Sequence, residues 1–244
     1  MRTLLLLATY GLEIVECGGT LVKHARAGDS VHAAVALARP DYRDQIRRAA
    51  AILGAEVTFL DLAYGEVQAD LPAKIKLVSL LRRIRPDIVI TQDPEHYLLD
   101  LDPDRREAML LYLEALALSG RNWRIEECGP PHKIRSVYFL AHDHPNCLVD
   151  ISEVYELKER AMEELRLQLE FTAEHFRQRV SEEALRRLLP DYDAVREDPV
   201  ALGLAIHREM HRAFHVYHGI WSHSSLVFAE PFRRLSPLEL DYLR

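Results

Sequence analysis

Residues 3–8, Thr-Leu-Leu-Leu-Leu-Ala, form an apolar run with no polar alternation. Such a run predicts a parallel strand covered on both faces. Further strand-like runs follow at 30–38, 56–62, 87–91 and 133–140. Between them the spacing predicts helices over 18–27, 42–53, 71–84 and 104–118, closed by Gly28, Gly54, Pro86 and Gly120. Strands alternating with helices of this length imply right-handed βαβ units and a mostly parallel sheet. After residue 150 the chain reads as helical: a long charged segment at 153–177, another helix from Ser181, a polar break at 190–199 and a final helix at 200–218. The expected architecture is therefore α/β, a Rossmann-like, mostly parallel sheet with helices on both faces. One domain is expected over 1–244, with a core sheet in 1–150 and a helical C-terminal part in 151–244 packed on it. Ligand crevices in such sheets lie beyond the carboxyl ends of the strands. That rule places residues 9–17 and 92–104 on one crevice.

The 244 residues suffice for a substantial α/β core. A hydrophobic fraction of 48% and a charged fraction of 28% are those of an ordinary globular chain. The net charge of -7 gives no reason to expect a nucleic-acid partner. Cys17, Cys128 and Cys147 are widely spaced, odd in number and form no CxxC pair. This fits a reducing cytoplasm rather than a disulfide framework. The run at 3–8 is too short for a leader and lacks a cleavage-site pattern, and no segment reaches the length of a membrane span.

Several groups could carry chemistry. Glu13, Glu16, Asp102 and Asp104, with His96 in the same loop region, form a candidate oxygen-rich site that would suit Mg²⁺ or Mn²⁺. Read as scaffold, Asp102 begins a helix as its cap, and Asp104 and Glu13 pair with Arg105, Arg106 or another base. His142-Asp143-His144 follows the fifth strand and reads either as a metal-binding pair or as a polar loop before Pro145. His207, His211 and His215 recur every fourth residue on one helical face, with His218 close behind. That stripe suits metal coordination, closure of the crevice, a subunit contact, or packing against Phe214, Tyr217 and Trp221. It is not the H-E-x-x-H metalloprotease pattern, because Arg208 follows His207. Cys17 precedes a helix and is read as a packed residue; Ser119, Ser224 and Ser225 lack a nucleophile-elbow context.

The segment Ala8-Thr9-Tyr10-Gly11-Leu12-Glu13, followed by Gly18-Gly19-Thr20-Leu21, resembles the first-strand loop of the LmbE/PIG-L family of zinc-dependent sugar N-deacetylases. That family reads Ala-His-Pro-Asp-Asp-Glu and then Gly-Gly-Thr. Further blocks resemble it in the same order: Ala25 to Val31, Arg47 to Gly54, Val57 to Leu62, Arg82 to Thr91, Asp102-Pro103-Asp104-Arg105, Asp150-Ile151-Ser152 with Lys158, and Phe228 to Arg233. Residues 190–223 have no counterpart. The resemblance implies metal ligands at positions 9, 12 and 105 and a general base at position 11. Those positions hold Thr9, Leu12, Arg105 and Gly11, and Gln45 stands in place of a supporting Glu.

Thr is a poor zinc ligand, Leu is none, and Arg cannot shed its proton. The expectation is a family member without a cofactor, binding a sugar-like or polar ligand through Thr9, Tyr10, Gly11, Leu12, Glu13, Glu16, His96, Arg105, His142 and His144. It would act as a cytoplasmic binding or structural subunit and a homo-oligomer. The alternative is a divergent hydrolase of C–N amide bonds using zinc or another divalent metal. Its catalytic candidates are Glu13, Asp102 and Asp104, and its metal candidates are Glu16, His96, His207 and His211.

Overall fold

A computed structural model describes residues 1–140 and 144–237. Five parallel strands make the centre of the sheet: β1 (Thr3–Ala8), β2 (Ser30–Val35), β3 (Glu56–Phe59), β4 (Ile88–Gln92) and β5 (Ser136–Leu140). Two strands that periodicity did not predict complete it, β6 (Cys147–Asp150) and β7 (Ala229–Arg234). The order is β3-β2-β1-β4-β5-β7-β6, with β7 antiparallel to both neighbours.

β1 is buried on both faces, as its uniform apolarity requires. Leu4, Leu6 and Ala8 pack with α2 (Gly18–Arg26) and α3 (Pro40–Ile52) on one side. Leu5 and Leu7 pack with α4 (Leu71–Ile84) and α6 (Pro103–Ser119) on the other. Short helices fill the loops: α1 (Glu13–Glu16), α5 (Pro94–Tyr97) and α7 (Ile125–Cys128).

The predicted helix over 153–177 is two helices, α8 (Tyr155–Glu164) and α9 (Arg166–Arg179). They meet at Leu165, a fully buried residue held outside helical dihedrals. α10 (Glu182–Leu188) begins at Ser181, whose hydroxyl accepts from the Ala184 amide. The polar break at 190–199 contains α11 (Tyr192–Val195), anchored by buried Tyr192. α12 (Pro199–His218) packs along α9 and against β7. No helix among the described residues is long and apolar enough to cross a membrane.

The strand order runs outward in opposite directions from β1 and β4, which are neighbours. A crevice therefore opens at their carboxyl ends. The loops there are residues 9–12 and 93–102, as the sequence expectation placed them.

Candidate functional site

The loop after β1 is built around Glu13. Its buried carboxylate accepts from the backbone amides of Thr9 at 3.0 Å, Tyr10 at 3.3 Å and Gly11 at 2.9 Å. The Thr9 hydroxyl accepts from Gln92 Nε2 on β4. Gly11 has φ +97°, and a Cβ there would lie 2.7 Å from Ile46 Cδ1. The turn is thus closed to ordinary side chains at position 11. Leu12 is half-buried and packs against the core.

Across the crevice, Asp102 caps α6 by accepting from the amides of Asp104 at 2.9 Å and Arg105 at 3.4 Å. It also accepts from the Tyr10 hydroxyl at 2.7 Å. Burial and this bond to Asp102 raise the Tyr10 pKa, so the phenol stays protonated. Asp104 accepts from the amides of Gly65 at 2.7 Å and Val67 at 3.3 Å. The partners of Glu13 and Asp104 are therefore backbone amides, not the arginine side chains the scaffold reading expected. The Arg105 guanidinium lies between the rings of Tyr10 and Tyr97, 5.3 and 5.7 Å from their centroids. Burial works against its charge, but Glu13, Tyr97 and Glu16 outweigh that effect and raise its pKa.

The Gly18-Gly19-Thr20 segment is explained by residues far along the chain. Glu230 of β7 accepts from the Gly19 and Thr20 amides at 2.9 and 2.8 Å, at the N-terminus of α2. A Cβ on Gly19 would meet Ile151 Cγ2 at 2.5 Å. Lys158 of α8 donates to Glu230 at 3.0 Å and to the carbonyls of Val15 and Glu16. Both charged side chains are essentially buried. Nothing in the local pattern around 158 or 230 signals this pair; only the resemblance singled those blocks out.

Beneath this network, between α1 and α12, lies a cavity of about 380 Å³. The histidine stripe faces it: His207, His211 and His215 line one side and Glu16 and Leu12 the other. Leu140, Met210, Phe214 and Phe232 supply apolar wall that sequence reasoning missed, because they belong to three separate elements. His207 hydrogen-bonds Thr172 of α9 at 2.9 Å, and burial lowers its pKa to about 4. His215 holds the Ala229 carbonyl at 2.9 Å; burial and then Lys158 lower it to about 2. Glu16 moves the other way, raised to about 7 by burial and then by Glu13. Cys17 is buried beside it, and burial and the Glu230 charge keep its thiol protonated.

His96 is exposed on α5 against Tyr97, and His144 is exposed in the loop before β6. Neither lines the cavity. His142 and Asp143 lie outside the described residues. The metal candidates Glu16, His96, His207 and His211 are not gathered: no three His, Cys, Asp or Glu side chains among the described residues stand where they could share an ion. Phe214 lies at the cavity beside the stripe, whereas Tyr217 and Trp221 are exposed and do not cover it.

No family model matches the chain. A curated relative does: the diacetylchitobiose deacetylase of Thermococcus kodakarensis is 33% identical over 124 residues, covering 49% of this chain. The match spans 46% of that enzyme, about half of its length. The N,N'-diacetylchitobiose deacetylase of Pyrococcus horikoshii superposes with TM-score 0.68 at 18% identity, over 96% of this chain and 84% of that one.

The chain is similar in sequence to a deacetylase over about half its length and shares the fold of the LmbE/PIG-L-type deacetylases.

Two further structures share the fold over 100% of this chain. A conserved protein from Thermus thermophilus has TM-score 0.72 at 23% identity, with 98% of its own chain covered. A 4-carboxy-2-hydroxymuconate hydratase from Pseudomonas putida has TM-score 0.69 at 19% identity, with 100% covered. The shared fold therefore takes in residues 190–223, for which the sequence blocks offered no counterpart. The zinc that the family implies does not fit the donors found here. The three ligand positions offer a hydroxyl already bonded to Gln92, a half-buried leucine with no donor atom and a guanidinium between two rings. The position of the general base is a glycine in a turn that excludes a side chain.

Proposed function

We propose that this LmbE/PIG-L-type protein binds a small ligand in the cavity between α1 and α12 and does not carry out zinc-dependent N-deacetylation. The observation that carries the reading is the commitment of every group at the family's chemical positions to scaffold. Glu13 and Asp104 spend their oxygens on backbone amides, Asp102 on two amides and the Tyr10 hydroxyl, and Thr9, Leu12 and Arg105 offer no open coordination position. The surviving Glu13 and Asp104 act as loop ties, which a binding protein needs as much as an enzyme does. The protein would serve as a binding or structural subunit.

One observation favours a second reading. Glu16 is a carboxyl group at the cavity with a pKa raised to about 7, the range suited to a general acid or base. A divergent hydrolase, or a chemistry of another class on the same frame, would use it. The neighbouring hydratase fold shows only that this architecture is not confined to proteins named deacetylases.

The test is bound metal together with acetate release. Protein purified without a histidine tag is assayed by plasma mass spectrometry before and after incubation with Zn²⁺, Mn²⁺ and Mg²⁺. N,N'-diacetylchitobiose is offered as substrate, with and without chelator. Substoichiometric metal and no chelator-sensitive acetate are expected. Near-stoichiometric metal with chelator-sensitive acetate release sinks the proposal.

A further inference from the structure

The charges and donors around the cavity can be counted from the groups that face it. Lys158 points toward it but has nothing left to give: an ammonium has three protons, and they go to Val15 O, Glu16 O and Glu230 Oε1. Glu230 is balanced by Lys158 and by two backbone amides. The Arg105 charge is shared among Glu13, Glu16, the Asp102 carboxylate 3.8 Å away and the flanking aromatic rings. His207 and His215 are neutral, because burial pulls both well below neutrality, and His211 is lowered in the same way. Glu16 feels the charges of Arg105 and Lys158, but both of those cations are bonded to other groups. One of its carboxyl oxygens, Oε2, is buried with no hydrogen-bond partner among the described residues. His207, only 4% exposed, also lines the cavity and leaves Nδ1 buried and unpartnered.

Unpartnered buried polar atoms are rare in native proteins and point to a missing partner. Leu140 and Phe232 give the wall a buried apolar part, and Met210 and Phe214 an exposed one. A volume of about 380 Å³ lies within the range of small-molecule sites.

We propose that this cavity binds an apolar primary amine, its ammonium taken by the Glu16 carboxylate and its body packed on Leu140, Met210, Phe214 and Phe232. An ammonium satisfies Glu16 Oε2 and gives a donor to a neutral imidazole. The ring faces of Phe214 and Phe232 favour a cation as well. A carboxylate ligand would meet Glu16 with like charge, and Lys158 has no free proton to receive it. A metal ion lacks the ligands. The inference rests on the reading of the site as a binding cavity.

The probes are 3-phenylpropylamine, 3-phenylpropanol and 3-phenylpropionate, which share one body and differ in the head group. Each is titrated calorimetrically into the full chain at pH 8, where Glu16 is ionised. The amine is expected to bind at least about tenfold tighter than the alcohol, the worth of one charge-assisted hydrogen bond. The carboxylate binds weakest. Glu16→Gln removes the advantage of the amine and leaves the alcohol bound. Met210→Trp, which fills the rim of the cavity, weakens amine and alcohol alike and does not depend on the fate of the Gln variant.

The inference is overturned by an alcohol or carboxylate that binds as well as the amine, by an amine advantage that survives Glu16→Gln, or by no saturable binding of any probe. Acetate release reports separately. A protein that deacetylates chitobiose yet prefers the amine overturns the functional reading and supports this one. A protein inert toward acetyl sugars and indifferent to the amine does the reverse.

Discussion

Glu13 and Glu16 stand one turn apart on α1, and their surroundings could hardly differ more. Glu13 has backbone amides on both oxygens, whereas Glu16 has an orphan oxygen and a pKa raised to about 7 by burial and the Glu13 charge. A carboxyl group whose folded pKa exceeds its unfolded value binds its proton more tightly when folded. It therefore destabilises the fold as pH rises from about 4.5 to about 7, by on the order of 3 kcal/mol at most. His207 runs in the opposite sense: lowered to about 4, it takes stability away as pH falls below the ordinary histidine range. His211 and His215 act in the same sense as His207, so the wild-type profile mixes all four groups and a difference measurement is needed to isolate Glu16. Glu16→Gln should raise Tm by several degrees at pH 8, and the gap should close toward pH 4.5. A gap that is flat with pH would place Glu16 in an unperturbed environment. At this scale the sequence carried the mismatches at 9, 11, 12 and 105 and the helix-capping chemistry of Asp102. It could not carry the orphan state of Glu16, because an absent partner depends on α12, far along the chain.

Elements with a strong period were legible and elements defined by tertiary contact were not. β1 to β5 follow from apolar runs. β7 was missed because it carries Glu230, Pro231, Arg233 and Arg234, a composition that argues against a central strand. Its charges have distant counterparts: Glu230 holds Lys158, and Arg233 holds Asp93 and Glu95 while lying over Phe139. The break between α8 and α9 has no glycine or proline to announce it. It lets α9 turn to lie along α12, and the crossing is tight. A Cβ on Gly203 would stand 2.0 Å from the Leu169 carbonyl oxygen. Alanine gains about 1 kcal/mol of helix propensity over glycine, so an unconstrained Gly203→Ala would stabilise. Here the clash is with backbone and should win, with a net loss of about 2 kcal/mol in urea unfolding. A stability gain would mean that α9 and α12 separate without penalty, and that the wall bearing the histidines is loosely held.

At the scale of the whole molecule, the mostly parallel sheet and a crevice shared by the loops after β1 and β4 followed from alternation and the carboxyl-end rule alone. What joins the C-terminal helices to that crevice did not. Lys158 and Glu230 provide the join, since one residue from α8 and one from β7 reach the carbonyl end of α1 and the amide end of α2 together. The pair is desolvated, so its attraction only has to match its own burial penalty, and a hydrophobic pair of like shape could be as stable. Removing one partner is another matter. Lys158→Met would leave Glu230 buried without its cation and would orphan the carbonyls of Val15 and Glu16. The expected loss is about 3–5 kcal/mol in urea unfolding. Adding Glu230→Gln should recover part of it, because glutamine carries no charge and its one amide oxygen can still accept from one of the two α2 amides. Urea midpoints for the two single variants and the double give the coupling directly. A Lys158→Met loss below about 1 kcal/mol, or strictly additive effects, would show that the network is incidental to the fold. The cavity would then have to be held by α12 packing on α9 and β7 alone.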